Sequence, residues 1–498
     1  MENPAENQQL AVGDAPRRWS KWEIAALALI FLGTAATLGF RLGLATPTIA
    51  AEMRCWKVVS EMTQTGDWLM PHRNGQPALN KPPLFYWAGA AISALAGGVS
   101  YATLRAPSVI AALGVLLLIY AWARSIGGAA LGLVSAGLTA IMFKFYLWGR
   151  EGTFEMMLAL FTNAALLTFD RMYWSGRQSL APLFSLLVVA AFLTKGPPAL
   201  LIVGVPIVLF LVFRGETRYM LKWRVALWVV VTLLLSLVWF AVVLRRVPGA
   251  WNRFFSEAVL PLGVESDHDT AKHYHHFFYF FPRLVGIAAL PSLLLPLLVW
   301  RGWQTRFWRD DPRLRFCAWI AAGLFVAFSC FPQKQYHYLL PLFPAIIILT
   351  ADAVLWAADA QSKLHWAWLG LPAIAVGIAT VICVVPLVFY FHVLLQVSLG
   401  VVLALGAIVA LFGGVIVGFA LKRKWLETGS AIILAAWLLF SVYFGNWVIV
   451  RSQFATGEFE QRSDYDEAHW SRLKKDYPFV GEIFHRGSRF TKGEKGNK

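Results

Sequence analysis

Apolar residues run along this chain in blocks too long for strands, interrupted by charges or by Pro/Gly turns. Blocks of roughly 16–27 such residues match helices that cross the hydrocarbon core of a bilayer. They fall at about residues 24–44, 106–123, 128–147, 152–170, 179–194, 197–213, 225–244, 278–300, 316–331, 338–357, 368–391, 394–420 and 429–450. The pattern predicts an all-α polytopic membrane protein with about thirteen transmembrane helices.

Two stretches between the first and second blocks read differently. Over Glu52–Gln64, Met53, Trp56, Val59 and Met62 recur every three positions while Arg54, Lys57 and Glu61 occupy another face, the pattern of an amphipathic helix lying at an interface. The stretch 84–99 is apolar but follows Pro82-Pro83 and is rich in Ala and Gly. Counted as a span it would invert every later connection, so it is expected as a juxtamembrane or partly inserted helix of a long first outer loop, 45–105.

Composition then fixes the solvent. Of 498 residues 58% are hydrophobic and 14% charged, with a mean hydropathy of +0.58, which excludes an ordinary soluble protein. A net charge of +16 would suggest nucleic acid in such a protein; here it serves as an orientation signal, and no nucleic-acid partner is expected. With residues 1–23 inside, the inner connections collect Arg124, Arg171, Arg177, the cluster from Arg214 to Arg224, the cluster from Arg301 to Arg315, Lys363 and Lys422 to Lys424. A membrane domain over 24–450 and an outer-face tail over 451–498 follow, in a plasma (inner) membrane. The four cysteines are scattered without metal-ligand spacing and read as packing residues.

Sorted by side, Glu52, Arg54, Lys81, Glu155, Lys195, His273 and Lys334 collect on the outer face. Ionisable groups at membrane depth are costly unless paired or functional, so their gathering points to a common cavity. No GxxxxGK[ST] or strand-borne GxGxxG is present, so a nucleotide cradle is not expected. A phosphate met by Arg54, Lys81 and Lys195 on that face would belong to a lipid, held as ligand and, more strongly, as leaving group.

The motifs carry a resemblance. Glu52-x-Arg54 running to Gly66-Asp67-Trp68, Asn80-Lys81-Pro82-Pro83-Leu84-x-Tyr86-Trp87, Arg105-x-Pro107-Ser108, Leu193-Thr194-Lys195-Gly196-Pro197, His273 before an aromatic run to Tyr279, and Lys334-x-x-x-Tyr338-Leu339-Leu340-Pro341-Leu342-x-Pro344 occur in family order. Together they resemble glycosyltransferase family 39, the integral-membrane enzymes that include protein O-mannosyltransferases and lipid A aminoarabinose transferases. The resemblance implies a GT-C type fold and an outer cavity where a polyprenyl-phosphate sugar donor meets a lipid, glycan or protein acceptor. It also implies Glu52 and Glu155 as catalytic carboxylates, Arg54, Lys81 and Lys195 near the donor phosphate, and Tyr86, His273, Lys334 and Tyr338 lining the cavity.

Two departures from the family pattern bear on chemistry. Relatives usually carry Asp-Glu where this chain has Ala51-Glu52, and that Asp is the residue normally credited as base. Asn80 stands where an acidic residue often precedes Lys-Pro-Pro, which removes a metal ligand, so no metal is predicted. An acceptor that is itself an ionised phosphate would need no base, which makes Ala51 a clue to acceptor class. A family member that binds carrier lipid or a partner protein without catalysis, and a lipid or solute transporter, are the other readings; repeated halves, the mark of many transporters, are not evident.

Overall fold

The computed structural model describes residues 19–44, 49–79, 81–247, 277–288, 290–306, 311–331, 334–359, 363–388 and 398–444, with isolated positions 249, 252 and 392. The first apolar run forms α1, Lys21–Gly39, capped by Ser20, whose hydroxyl accepts from the Glu23 amide. Helix α2, Ala50–Thr65, follows and stops at Gly66, whose φ of +71° suits a residue without a side chain. Its buried stripe is Glu52, Cys55, Val58, Val59 and Met62. That is a correction to the expected stripe, because Met53 is 37% exposed and the helix turns Glu52 inward instead.

A two-stranded hairpin, β1 His72–Arg73 and β2 Gln76–Pro77, leads to α3, Leu84–Leu95. At 12 residues α3 is short for a full crossing, in keeping with a juxtamembrane helix. Ser100 then starts the longest helix, α4, Tyr101–Ala140, through a capping box with Thr103. Gly128, at φ +82° and ψ −168°, breaks α4 into the two pieces expected at 106–123 and 128–147. Helices α5, Phe143–Arg150, and α6, Glu155–Ser175, meet at 114° across residues 151–154.

Helices α7, Ala181–Lys195, α8, Pro198–Arg214, and α9, Trp223–Arg246, continue the bundle. Where one crossing was expected at 278–300, the chain forms α10, Phe280–Ala288, a 3-10 turn and α11, Leu295–Thr305, because Pro282, Pro291 and Pro296 interrupt the backbone ladder. Then come α12, Pro312–Cys330, a 3-10 stretch Tyr336–Leu342 running into α13, Phe343–Asp359, and finally α14, Lys363–Ile382, α15, Leu399–Leu421, and α16, Trp425–Leu438.

Among the described residues eight helices are long and apolar enough to cross a membrane, or nine if α5 and α6 form one bent crossing. The chain is an integral membrane protein. The thirteen apolar runs outnumber these helices because 106–123 and 128–147 share α4, 278–300 is broken, and α8 and α16 are shorter than a full crossing. The tail, 451–498, lies outside the described residues.

Helix α4 is the hub, packing on α1, α6 and α13. It buries Leu104, Ala112, Leu116 and Trp122 completely, the last against Phe316 of α12. By contrast α9 leaves Val230, Leu233, Leu234, Leu235, Leu237 and Val238 largely exposed. Such a face is stable where the solvent is lipid.

Candidate functional site

Glu52, in the first turn of α2, is 3% exposed. Arg105, one turn into α4, grips its carboxylate with Nε 2.7 Å from Oε1 and Nη2 3.2 Å from Oε2. The same guanidinium donates through Nη1 to the Leu42 carbonyl at 2.7 Å, so a buried carboxylate and a buried cation satisfy one another and the chain entering α2.

The bend between α5 and α6 is fastened to this pair. The Gly152 amide donates to Glu52 Oε1 at 2.8 Å, and the Ser108 hydroxyl donates to the Thr153 carbonyl at 3.2 Å. A Cβ at Gly152 would stand 2.7 Å from Leu104 Cγ and 3.3 Å from Glu52 Oε1, so the bend can pass this close to α2 and α4 only as glycine. Unpaired backbone at membrane depth is tolerated only where protein satisfies it, and here the glutamate and the serine do so.

Glu155 opens α6 directly after the bend. Lys195 Nζ, at the end of α7, lies 2.7 and 2.6 Å from its two oxygens, and His337 Nε2 lies 3.3 Å from Oε1. Lys195 also sits 5.3 Å from the ring centre of Tyr338, which places an aromatic face beside the amine. Gly196, at φ +81°, turns the chain out of α7, and its missing Cβ would lie 3.8 Å from Pro82 Cγ. The Lys195-Gly196-Pro197 and Lys81-Pro82-Pro83 motifs therefore abut, and half-buried Lys81 is close enough for its charge to be felt by Glu155.

The remaining expected residues divide. Arg54 is exposed on α2. Tyr86 is buried, edge-on to Phe154 of the bend at 5.4 Å. Lys334 is buried, donates to the Phe331 carbonyl, and burial holds its ammonium below the ordinary lysine value. Tyr338 is half-buried beside Lys195, and His273 lies outside the described residues. Cys55, one turn after Glu52, is a packing residue whose thiol burial pushes up. Cys317 is likewise buried, whereas Cys330 is exposed.

The structure adds residues that the motifs did not assign. Arg105 stood in a motif without a role and is the partner of Glu52. His337 adjoins Tyr338 and completes the Glu155 pair. Glu151 opens the bend and is half-buried, so three carboxylates stand in or against one four-residue turn. The signal for the last two was proximity in sequence: one neighbours Tyr338, the other precedes Glu155 by one helical turn.

Known proteins resemble this chain in sequence and in fold. The family described as dolichyl-phosphate-mannose-protein mannosyltransferase matches residues 80–244. The undecaprenyl phosphate-alpha-4-amino-4-deoxy-L-arabinose arabinosyl transferase of Aeromonas salmonicida is 31% identical over 316 residues, 61% of this chain and 55% of that protein. The protein of the same name from Serratia proteamaculans is 29% identical over 347 residues, covering 68% and 60%. The chain thus spans little more than half the length of these relatives. Among solved structures, ArnT from Cupriavidus metallidurans in the apo state superposes with a TM-score of 0.67 at 21% identity, over 88% of this chain and 78% of that one. The same protein bound to undecaprenyl phosphate gives 0.65 at 21% identity, over 89% and 80%. The resemblance read from the motifs holds at this level: the chain is similar in sequence to family 39 membrane glycosyltransferases and shares the fold of ArnT.

Proposed function

We propose that the chain transfers a sugar from a polyprenyl-phosphate donor to an acceptor at the end of the membrane domain where α2, α4, α7 and the α5–α6 bend meet. The observation that carries this reading is the Glu155 cluster: one carboxylate holding an ammonium and an imidazole side by side, with Lys81 close by. An ammonium is a compact point charge on a flexible stem, so Lys195 can turn from Glu155 to an incoming phosphate without dismantling the fold. Its charge, with those of Lys81 and Arg54, stabilises the polyprenyl phosphate more as it leaves than as it binds.

Glu52 serves the same chemistry at one remove. Its oxygens are committed to Arg105 and Gly152, which fixes the bend that presents Glu155. Tyr338, Lys334, Tyr86 and His273 complete the surroundings of the donor and acceptor. The site faces the outer side of a plasma (inner) membrane, a reading supported by the bias of basic residues toward the opposite connections. The membrane domain spans about 24–450, with the first outer loop at 45–105. The acceptor is a lipid, glycan or protein, and the relatives named for undecaprenyl phosphate-linked aminoarabinose support a lipid carrier on the donor side.

The test is transfer of radiolabelled sugar from defined polyprenyl-phosphate donors to a membrane extract by the purified chain, with Glu52→Gln and Glu155→Gln alongside. Loss of transfer by about 10²-fold or more in Glu155→Gln, with donor binding weakened, is the expected result. Donor binding without transfer by the wild type would replace the enzyme with a carrier-lipid binder.

A further inference from the structure

We propose that Glu151 is the residue that takes the proton from the acceptor, and that the acceptor group is therefore a neutral hydroxyl rather than a phosphate; this rests on the transferase reading above. Both Glu52 oxygens accept from Arg105, and both Glu155 oxygens accept from Lys195, with His337 on one of them. Among the described residues nothing donates to or ion-pairs with the Glu151 carboxylate, which is half-buried at the mouth of the bend. Its backbone is fixed, since its carbonyl accepts from the Thr153 amide at 2.8 Å.

The surroundings of Glu151 suit a carbohydrate. Lys144 lies seven residues earlier, two turns back along α5 and so on the same side. Its amine stands 5.0 Å from the ring centre of Tyr336. Trp148 stacks on that ring at 6.0 Å and 14°, yet Tyr336 remains 44% exposed. An aromatic face backed by a second ring and edged by an amine and a carboxylate offers a sugar an apolar platform and polar groups for its hydroxyls. Tyr336 directly precedes His337, so this platform is one residue from the Glu155 cluster.

In the step, the acceptor O–H proton passes to a Glu151 oxygen while the acceptor oxygen bonds to the anomeric carbon. The bond from that carbon to the phosphate oxygen breaks, and its electron pair leaves with the polyprenyl phosphate, which gains one negative charge. The sugar is inverted at the anomeric carbon. Glu151 thus supplies the base that Ala51 does not.

The experiment uses the full chain in lipid nanodiscs, undecaprenyl phosphate carrying a labelled sugar, and two synthetic acceptors, an alkyl glycoside and an alkyl glycosyl phosphate. The wild type is expected to glycosylate the hydroxyl of the alkyl glycoside. Glu151→Gln should lower kcat by about 10²–10⁴-fold at unchanged donor KM and remove the acid limb of the pH–kcat profile, with Glu151→Asp restoring part of both. Equal thermal stability of the variants excludes a folding loss. Turnover by Glu151→Gln within twofold of wild type, or transfer confined to the phosphate group, overturns the assignment alone. No transfer by the wild type to either acceptor or to a membrane extract overturns the transferase reading as well.

Discussion

On α4, Arg105 closes on Glu52, and about 28 Å further along the same helix Arg124 closes on Glu23. Helix α6 repeats the arrangement, with Glu155 at its start and Asp170 four turns later against Arg313 of α12. Buried charge therefore lies in two layers, one at each end of the central helices, but the layers are built from different partners. At the Glu23 end both of these carboxylates meet an arginine and a neutral donor. Glu23 takes Arg124 and the Tyr120 hydroxyl while Trp19 covers the guanidinium at 4.6 Å; Asp170 takes Arg313 and the Trp174 indole, and Arg313 also donates to Ser125 at 2.6 and 2.9 Å. At the Glu155 end one arginine remains, and the other pairing is a lysine with a histidine. A planar guanidinium fork locks a carboxylate, whereas an amine and an imidazole can change partners. The first layer joins α1, α4, α6 and α12; the second joins its elements and keeps groups that can exchange.

Breaking the locked layer tests this division most severely. Asp170→Asn leaves Arg313 buried without its counter-charge and should destabilise the domain by about 3–5 kcal/mol, read as a lowered unfolding temperature, while turnover per folded molecule stays at the wild-type value. A fall in turnover at unchanged stability would erase the distinction. Converting the exchangeable layer to the locked kind comes next. Lys195→Arg should grip Glu155 bidentately, add about 1 kcal/mol of stability and slow transfer roughly five- to tenfold, a difference that thermal and kinetic measurements on one sample would resolve. The smallest effect is expected beyond both layers, where Glu61 accepts from the Asn74 and Gly75 amides and ties the hairpin to α2. Glu61→Gln should cost about 1 kcal/mol or less locally and appear as faster amide exchange over 72–77, with transfer nearly unchanged.

Much of the frame was legible because bilayer physics writes it plainly. Helix α2 followed from its spacing, and α3 from an apolar run after two prolines that charge bias kept out of the count of crossings. Arg313, placed among the inner connections by charge bias, donates to Asp170 and to Ser125, the neighbour of Arg124 from another of those connections. Crossing number was less legible, because a run of apolar residues does not report that three prolines break 278–300 or that the backbone turns by 114° between α5 and α6. The site was legible as a list and not as a set of contacts. Glu52 and Glu155 stood out as carboxylates near apolar runs, but nothing in the spacing says that Gly152 joins one to the other across 100 positions. Arg105, His337 and Glu151 acquire meaning only through the 114° turn of the backbone.

That turn is anchored from outside itself, by a glutamate on one helix and a serine on another, with no space for a side chain at Gly152 between Leu104 and Glu52. Its path is therefore inherited independently of the acids mounted on it. Substituting aspartate for glutamate on this turn would shorten the reach of the acid while the turn itself keeps its place between α2 and α4.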